Sequence, residues 1–138
     1  MRMISILLAG AILASCTTGP PPPPMRSADN QREYDRLLTG KVAQAPIACL
    51  PHYRSNDMRA IDENTILFRD GAYRTYVAHM QGGCNGVANG HYALVTRQFG
   101  SAGLCRGDIA EVVDAVNRIS VGSCVWGGFT PYVAPGHR

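Results

Sequence analysis

The chain has 138 residues, 46% hydrophobic and 17% charged, with a formal charge of +3 from 13 basic and 10 acidic side chains. The bases are all Arg except Lys41 and fall singly along the chain, so no basic stripe interleaved with aromatics marks a nucleic-acid groove. One domain is expected. With a core region of about 90 residues it buries too little surface to dispense with covalent staples.

Arg2 precedes an apolar run, Ile4 to Ser15, well short of the ~20 residues that span a bilayer as a helix. A positive start, a short apolar core and small residues at its end read as an export signal over residues 1–15. The signal closes on Leu13-Ala14-Ser15-Cys16, which resembles the bacterial lipobox. That resemblance implies a diacylglycerol on the Cys16 sulfur, cleavage just before it, and acylation of the new amino group. Cys16 is then the lipid attachment residue and the first residue of the mature protein, and the bilayer is its partner. Two or three acyl chains hold firmly where a single one holds only marginally. Thr17 follows the cysteine where a retention signal resembling that of inner-membrane lipoproteins has Asp, so the expected location is the inner leaflet of the outer membrane, facing the periplasm. Residues 16–26 form a tether around Pro20 to Pro24, a sequence that favours an extended polyproline rod.

Residues 27–44 read as a short helix and connector. Ser27 is an N-cap, Asp29 lies in the first turn, and Tyr34, Leu37 and Leu38 share a face. Gly40 stops a helix over Ala28 to Thr39. Residues 45–134 read as a β-rich domain and 135–138 as a tail. Ile47 to Tyr53 is a strand broken by Pro51, and Met58 to Ile61 a second. Thr65 to Arg69 and Ala72 to Met80 flank Asp70-Gly71, the signature of a two-residue hairpin turn. In the returning strand Tyr73, Thr75, Val77 and His79 alternate with Arg74, Tyr76, Ala78 and Met80. Gly82 to Gly86 is a loop, Tyr92 to Arg97 a strand, and Gly100 to Gly107 a turn region.

Asp108 to Ile119 supports two readings. Ile109, Val112, Val113 and Val116 have helical spacing, whereas their β-branching favours a strand; a strand over Asp108 to Asp114 is preferred. Val121 to Trp126 and Phe129 to Val133 complete the sheet, with Gly127-Gly128 as the turn between them. The expected fold is mainly β: a small curled antiparallel sheet or barrel, OB-like in one form, with a short N-terminal helix and two disulfides.

Five cysteines are present. With Cys16 assigned to lipid, Cys49, Cys84, Cys105 and Cys124 remain, an even number in an exported chain and so two disulfides. No C-x-x-C pair and no His at zinc-like spacing suggests a metal site, and neither metal nor cofactor is expected.

Cys49-Leu50, Ile61-Asp62, Thr65-Ile66-Leu67-Phe68, Gly83-Cys84, Leu104-Cys105-Arg106-Gly107-Asp108-Ile109 and Gly122-Ser123-Cys124 resemble a family of small proteobacterial lipoproteins containing a domain of unknown function. The resemblance spans roughly residues 45 to 134 and implies an exported β-rich domain with recurrent cysteines, without an activity. Four cysteines allow three connectivities, and spacing leaves all three open. The pairing adopted is Cys84–Cys105, between neighbouring glycine-rich loops, and Cys49–Cys124, between the first strand and a late one.

Chemistry-bearing residues are few. Ser101, Ser123, His52, His79, His91 and His137 supply hydroxyls and imidazoles without a Gly-x-Ser-x-Gly elbow. Asp62-Glu63 and Asp108/Glu111 are candidate acid pairs, though capping and turn roles explain them more simply. Gly82 to Gly86 could cradle an anion. Arg106-Gly107-Asp108 spells an adhesion tripeptide that equally suits a turn. Tyr53, Tyr73, Tyr76, Tyr92 and Trp126 are candidates for a binding patch or for the core. The function expected is a non-enzymatic envelope lipoprotein that binds another envelope protein or peptidoglycan. An inhibitor of a cell-wall hydrolase such as lysozyme, and a small envelope hydrolase, are the alternatives.

Overall fold

The computed structural model describes residues 26–50, 57–98 and 103–137. The expected export signal, Cys16, the proline tract, Pro51, His52, Tyr53 and Ser101 lie outside them. The described elements run α1 (Ala28–Leu38), β1 (Val42–Ala43), β2 (Cys49–Leu50), β3 (Met58–Asp62), β4 (Thr65–Asp70), β5 (Arg74–Gln81), a 3₁₀ turn (Val87–Asn89), β6 (Tyr92–Arg97), β7 (Leu104–Cys105), β8 (Ile109–Asp114) and β9 (Ser120–Val133).

Two three-stranded meanders, β3–β4–β5 and β6–β8–β9, join through their last strands in the order β3-β4-β5-β9-β8-β6, antiparallel throughout. The sheet curls into a half-barrel. The 3₁₀ turn packs against both β3 and β6, the two outermost strands. Strand β9 is the spine. One side pairs with β5 along most of its length, and the other pairs first with β8, then with Ile47, then with β1.

Gly127-Gly128 is therefore no turn. The chain passes straight through it, and register shifts there: Met80 pairs with Trp126 but Ala78 pairs with Phe129, so the two glycines oppose His79 alone. This is a β-bulge, which bends and twists a strand. A Cβ at Gly127 would lie 2.2 Å from the His79 carbonyl oxygen. The glycine is there because another backbone is.

The β4–β5 hairpin also departs from expectation. Asp70 pairs with Arg74, leaving Gly71, Ala72 and Tyr73 as a three-residue loop. A two-residue turn at Asp70-Gly71 would set Phe68 opposite Tyr73, on the wrong face. Directly opposed residues share a face, so burial of Phe68 against Tyr76 fixes the longer loop. In β8 the strand reading holds: Ala110 and Val112 are buried while Ile109 is exposed and Glu111 half-buried, a period of two.

The concave side holds the main core, built on Leu50, Ile66, Phe68, Tyr76, Trp126 and Phe129. The Trp126 ring lies 5.5 Å from Phe68 and 6.0 Å from Phe129, and its indole N–H donates to Thr96 Oγ1 at 3.0 Å. On the convex side α1 lays Leu37, with Tyr34 and Leu38, over Ile61, Leu67 and Val77. Ser27 caps the helix by accepting from the Asn30 N–H, and Lys41 donates to the Leu37 carbonyl at its other end. An 11-residue helix is marginal alone; docking on β3–β5 sustains it.

The disulfides are Cys49–Cys105 and Cys84–Cys124, correcting the pairing adopted from sequence. Strands β2 and β7 form their own two-stranded ribbon with Cys49 directly opposite Cys105, Cα atoms 3.9 Å apart. Cys124 points into the core from β9, where Cys84 meets it from the glycine-rich loop. Two-residue strands such as β2 and β7 carry no periodicity, so their pairing, which decides the connectivity, left no trace in sequence.

Candidate functional site

The residues with chemical potential are dispersed. Ser123 lies on exposed β9 opposite Glu111, and His79 on β5 beside Gly127. Four residues of extended strand, about 13 Å, separate the two positions. His91 precedes β6 at the far end of the sheet, and the His137 ring stacks on Tyr73 at 3.8 Å. Among the described residues no three His, Cys, Asp or Glu side chains converge as a metal site would require.

The acids have structural partners. Asp108 accepts from the Cys105 N–H at 2.8 Å, closing the turn that contains Arg106-Gly107. Glu111 pairs with Arg97 at 3.1 Å. Asp62 is buried and accepts 2.6 Å from Arg26 Nε and 2.8 Å from the Asn64 N–H. Arg26 reaches Thr65 Oγ1 as well, and its guanidinium lies 4.1 Å over the Tyr34 ring. Burial, chiefly, raises the Tyr34 hydroxyl above the ordinary tyrosine pKa. Of the aromatics, Trp126 and Tyr76 are core, Tyr92 is half-buried, and Tyr73 is exposed.

Among the described residues, two clefts border helix α1 at its two ends. The larger, about 900 Å³, lies between the end of α1 and the β4–β5 hairpin, lined by Arg36, Lys41, Arg69, Asp57 and Asp70. Its charges are already satisfied: Arg69 pairs with Asp57, Asp70 with Arg74, and Lys41 caps the helix. The smaller, about 400 Å³, lies where α1 begins, between Arg26, Asn30 and Asn64 on one side and Asn89 on the other. The five-residue Gly82 to Gly86 loop has left-handed backbone at Gly82, Gly83 and Gly86 and delivers Cys84 into the core, where its N–H donates to the Glu63 carbonyl.

The feature that sequence reasoning missed is a set of exposed aliphatics on the second meander, interspersed with the Glu111–Arg97 pair. Helix α1 covers the convex side of the first meander only. On the second, Val95, Ile109 and Val121 are 47%, 45% and 52% exposed. Beyond them the β8–β9 turn carries Val116 at 86% and Ile119 at 61%. The turn is firmly built: the Asp114 carboxylate accepts from the Val116 and Asn117 N–H groups and from the Asn117 side chain, at 2.8–2.9 Å. Ile109 and Val116 belong to the set with helical spacing, but β8 is a strand and sends Ile109 out while Ala110 and Val112 go in.

No family model, curated protein or solved structure matches the chain. Among the described residues no helix is long and apolar enough to cross a membrane.

Proposed function

We infer that this chain is a lipid-anchored protein of the bacterial cell envelope, held through Cys16 at the inner leaflet of the outer membrane and facing the periplasm. Its β domain serves as a non-enzymatic binding or structural module for another envelope protein or for peptidoglycan. The observation that carries the reading is the division of the five cysteines. Four are paired in the folded domain, and the fifth closes the lipobox-like Leu13-Ala14-Ser15-Cys16. Paired structural cysteines belong to oxidising compartments, which is where a lipidated export signal delivers its cargo. The scattered hydroxyls and imidazoles, and acids committed to caps and ion pairs, favour binding over catalysis.

Cells fed an alkyne-tagged fatty acid test the anchor. Tag is expected on the protein in the membrane fraction, and its loss in Cys16→Ser. An untagged protein with Cys16 intact contradicts the reading.

A further inference from the structure

We propose that the β8–β9 turn is a second membrane contact: Val116 and Ile119 at its tip rest on the same bilayer that holds Cys16. This rests on the lipid-anchor reading and adds to it an orientation of the domain.

Three placements lead there. First, the turn is the far end of an arm. Strand β9 pairs with β5 only from Val125 onward, so Ser120 to Cys124 run on for five further residues with β8 alone. At strand rise that is about 16 Å of projection. Second, what the arm carries at its end is aliphatic and exposed on a turn fixed by the Asp114 carboxylate. On the face behind the turn Val95 and Ile109 alternate with the Glu111–Arg97 pair, so the apolar contact is the tip itself, with Val116 86% and Ile119 61% exposed. Arg118 stands between Val116 and Ile119, and a base there suits lipid phosphate.

Third, the tether arrives at the same end. Arg26 is pinned to Asp62 at the close of β3, and the cleft beside it is shared with Asn89 of the 3₁₀ turn. From there Gly90 and His91 lead into Tyr92, which pairs with Asp114 at the base of the β8–β9 turn. The opposite end of the sheet carries Gly71 and the Val42–Val133 pair. Ten peptide units separate Cys16 from Arg26, a reach of at most about 35 Å. The tip projects from the end of the sheet at which Arg26 sits, whereas Val42 lies at the opposite end, so a bilayer within the tether's reach meets the tip first. The occupant of the tip is therefore lipid.

The test places tryptophan at Val116→Trp, at Ile119→Trp as a second tip probe, and at Val42→Trp on β1, in the full chain. Val42 is itself 55% exposed and lies at the other end. Each protein is purified from membranes, weighed for acylation, and reconstituted into vesicles of phosphatidylethanolamine and phosphatidylglycerol with brominated acyl chains. Both tip probes are expected to shift to the blue and to be quenched several-fold more than Val42→Trp. Acylated protein whose tip probes are quenched no more than Val42→Trp overturns the proposal and leaves the anchor standing. If mass shows Cys16 unmodified, the anchor reading fails by itself. The tip is then judged from the same vesicles: quenching upholds the contact and its absence overturns it.

Discussion

Arg26 Nε donates a 2.6 Å hydrogen bond to Asp62 Oδ2, thirty-six residues further on, with both side chains largely buried. The pair ties the segment just before α1 to the β3–β4 turn. Removing one member of such a pair leaves the other charged and dry, at a cost of about 3 kcal/mol. Arg26→Met is expected to lower the urea midpoint accordingly. Arg36→Ala, which breaks only the exposed Arg36–Glu33 pair, is expected to change stability by less than about 1 kcal/mol.

Two glycines of β9 should respond oppositely to alanine. At Gly127 the new methyl meets the His79 carbonyl, which is backbone and cannot turn aside. Gly127→Ala is expected to cost about 2–3 kcal/mol, read as a drop in thermal midpoint. At Gly122 nothing lies within 4 Å, and Gly122→Ala should be neutral or stabilising by a few tenths of a kcal/mol through loss of chain entropy in the unfolded state.

The disulfides should part in a fixed order. Cys84 and Cys124 are 0% and 2% exposed, whereas Cys49 and Cys105 are both half-buried at the surface ribbon. Thiolate attack needs access to sulfur. Mild reductant without denaturant, followed by alkylation and peptide mapping, is expected to label Cys49 and Cys105 first. The sequence separations of 56 and 40 residues give each bridge about 4 kcal/mol in the chain-entropy model. Fully reduced protein is therefore expected to unfold at ordinary temperature.

The β8–β9 turn has its own pH dependence. Hydrogen bonds from Asn117, backbone first, and then from the Val116 N–H hold the Asp114 carboxyl below its usual value of 3.8. A lowered folded pKa contributes stability that is complete above the unfolded value and is lost as pH falls through the folded one. The Val116 and Asn117 amide resonances should therefore titrate together below pH 3.8. In Asp114→Ala that titration should vanish.

Sequence reading reached what local pattern encodes. The Ser27 cap, the alternation in β5 and the β-branched run of β8 are each written in adjacent residues, and each element forms where expected. It failed where a distant partner decides. Gly127-Gly128 looks like a turn until His79 is known to face it. Asp70-Gly71 looks like a two-residue turn until Tyr76 is found opposite Phe68. β7 is two residues long and exists only because β2 lies beside it, which is also why Cys105 takes Cys49. The exposed tip was hidden for the same reason, since Val116 and Ile119 continue an apolar run and only the end of β8 shows that they leave the core.

The intact mass of the protein taken from native membranes, alkylated under denaturing conditions without reductant, tests the account most directly. A chain starting at Cys16, heavier by its acyl groups and with no thiol alkylated at Cys49, Cys84, Cys105 or Cys124, is the result expected. A chain that retains Met1, or that takes up four alkyl groups on those cysteines, would contradict it.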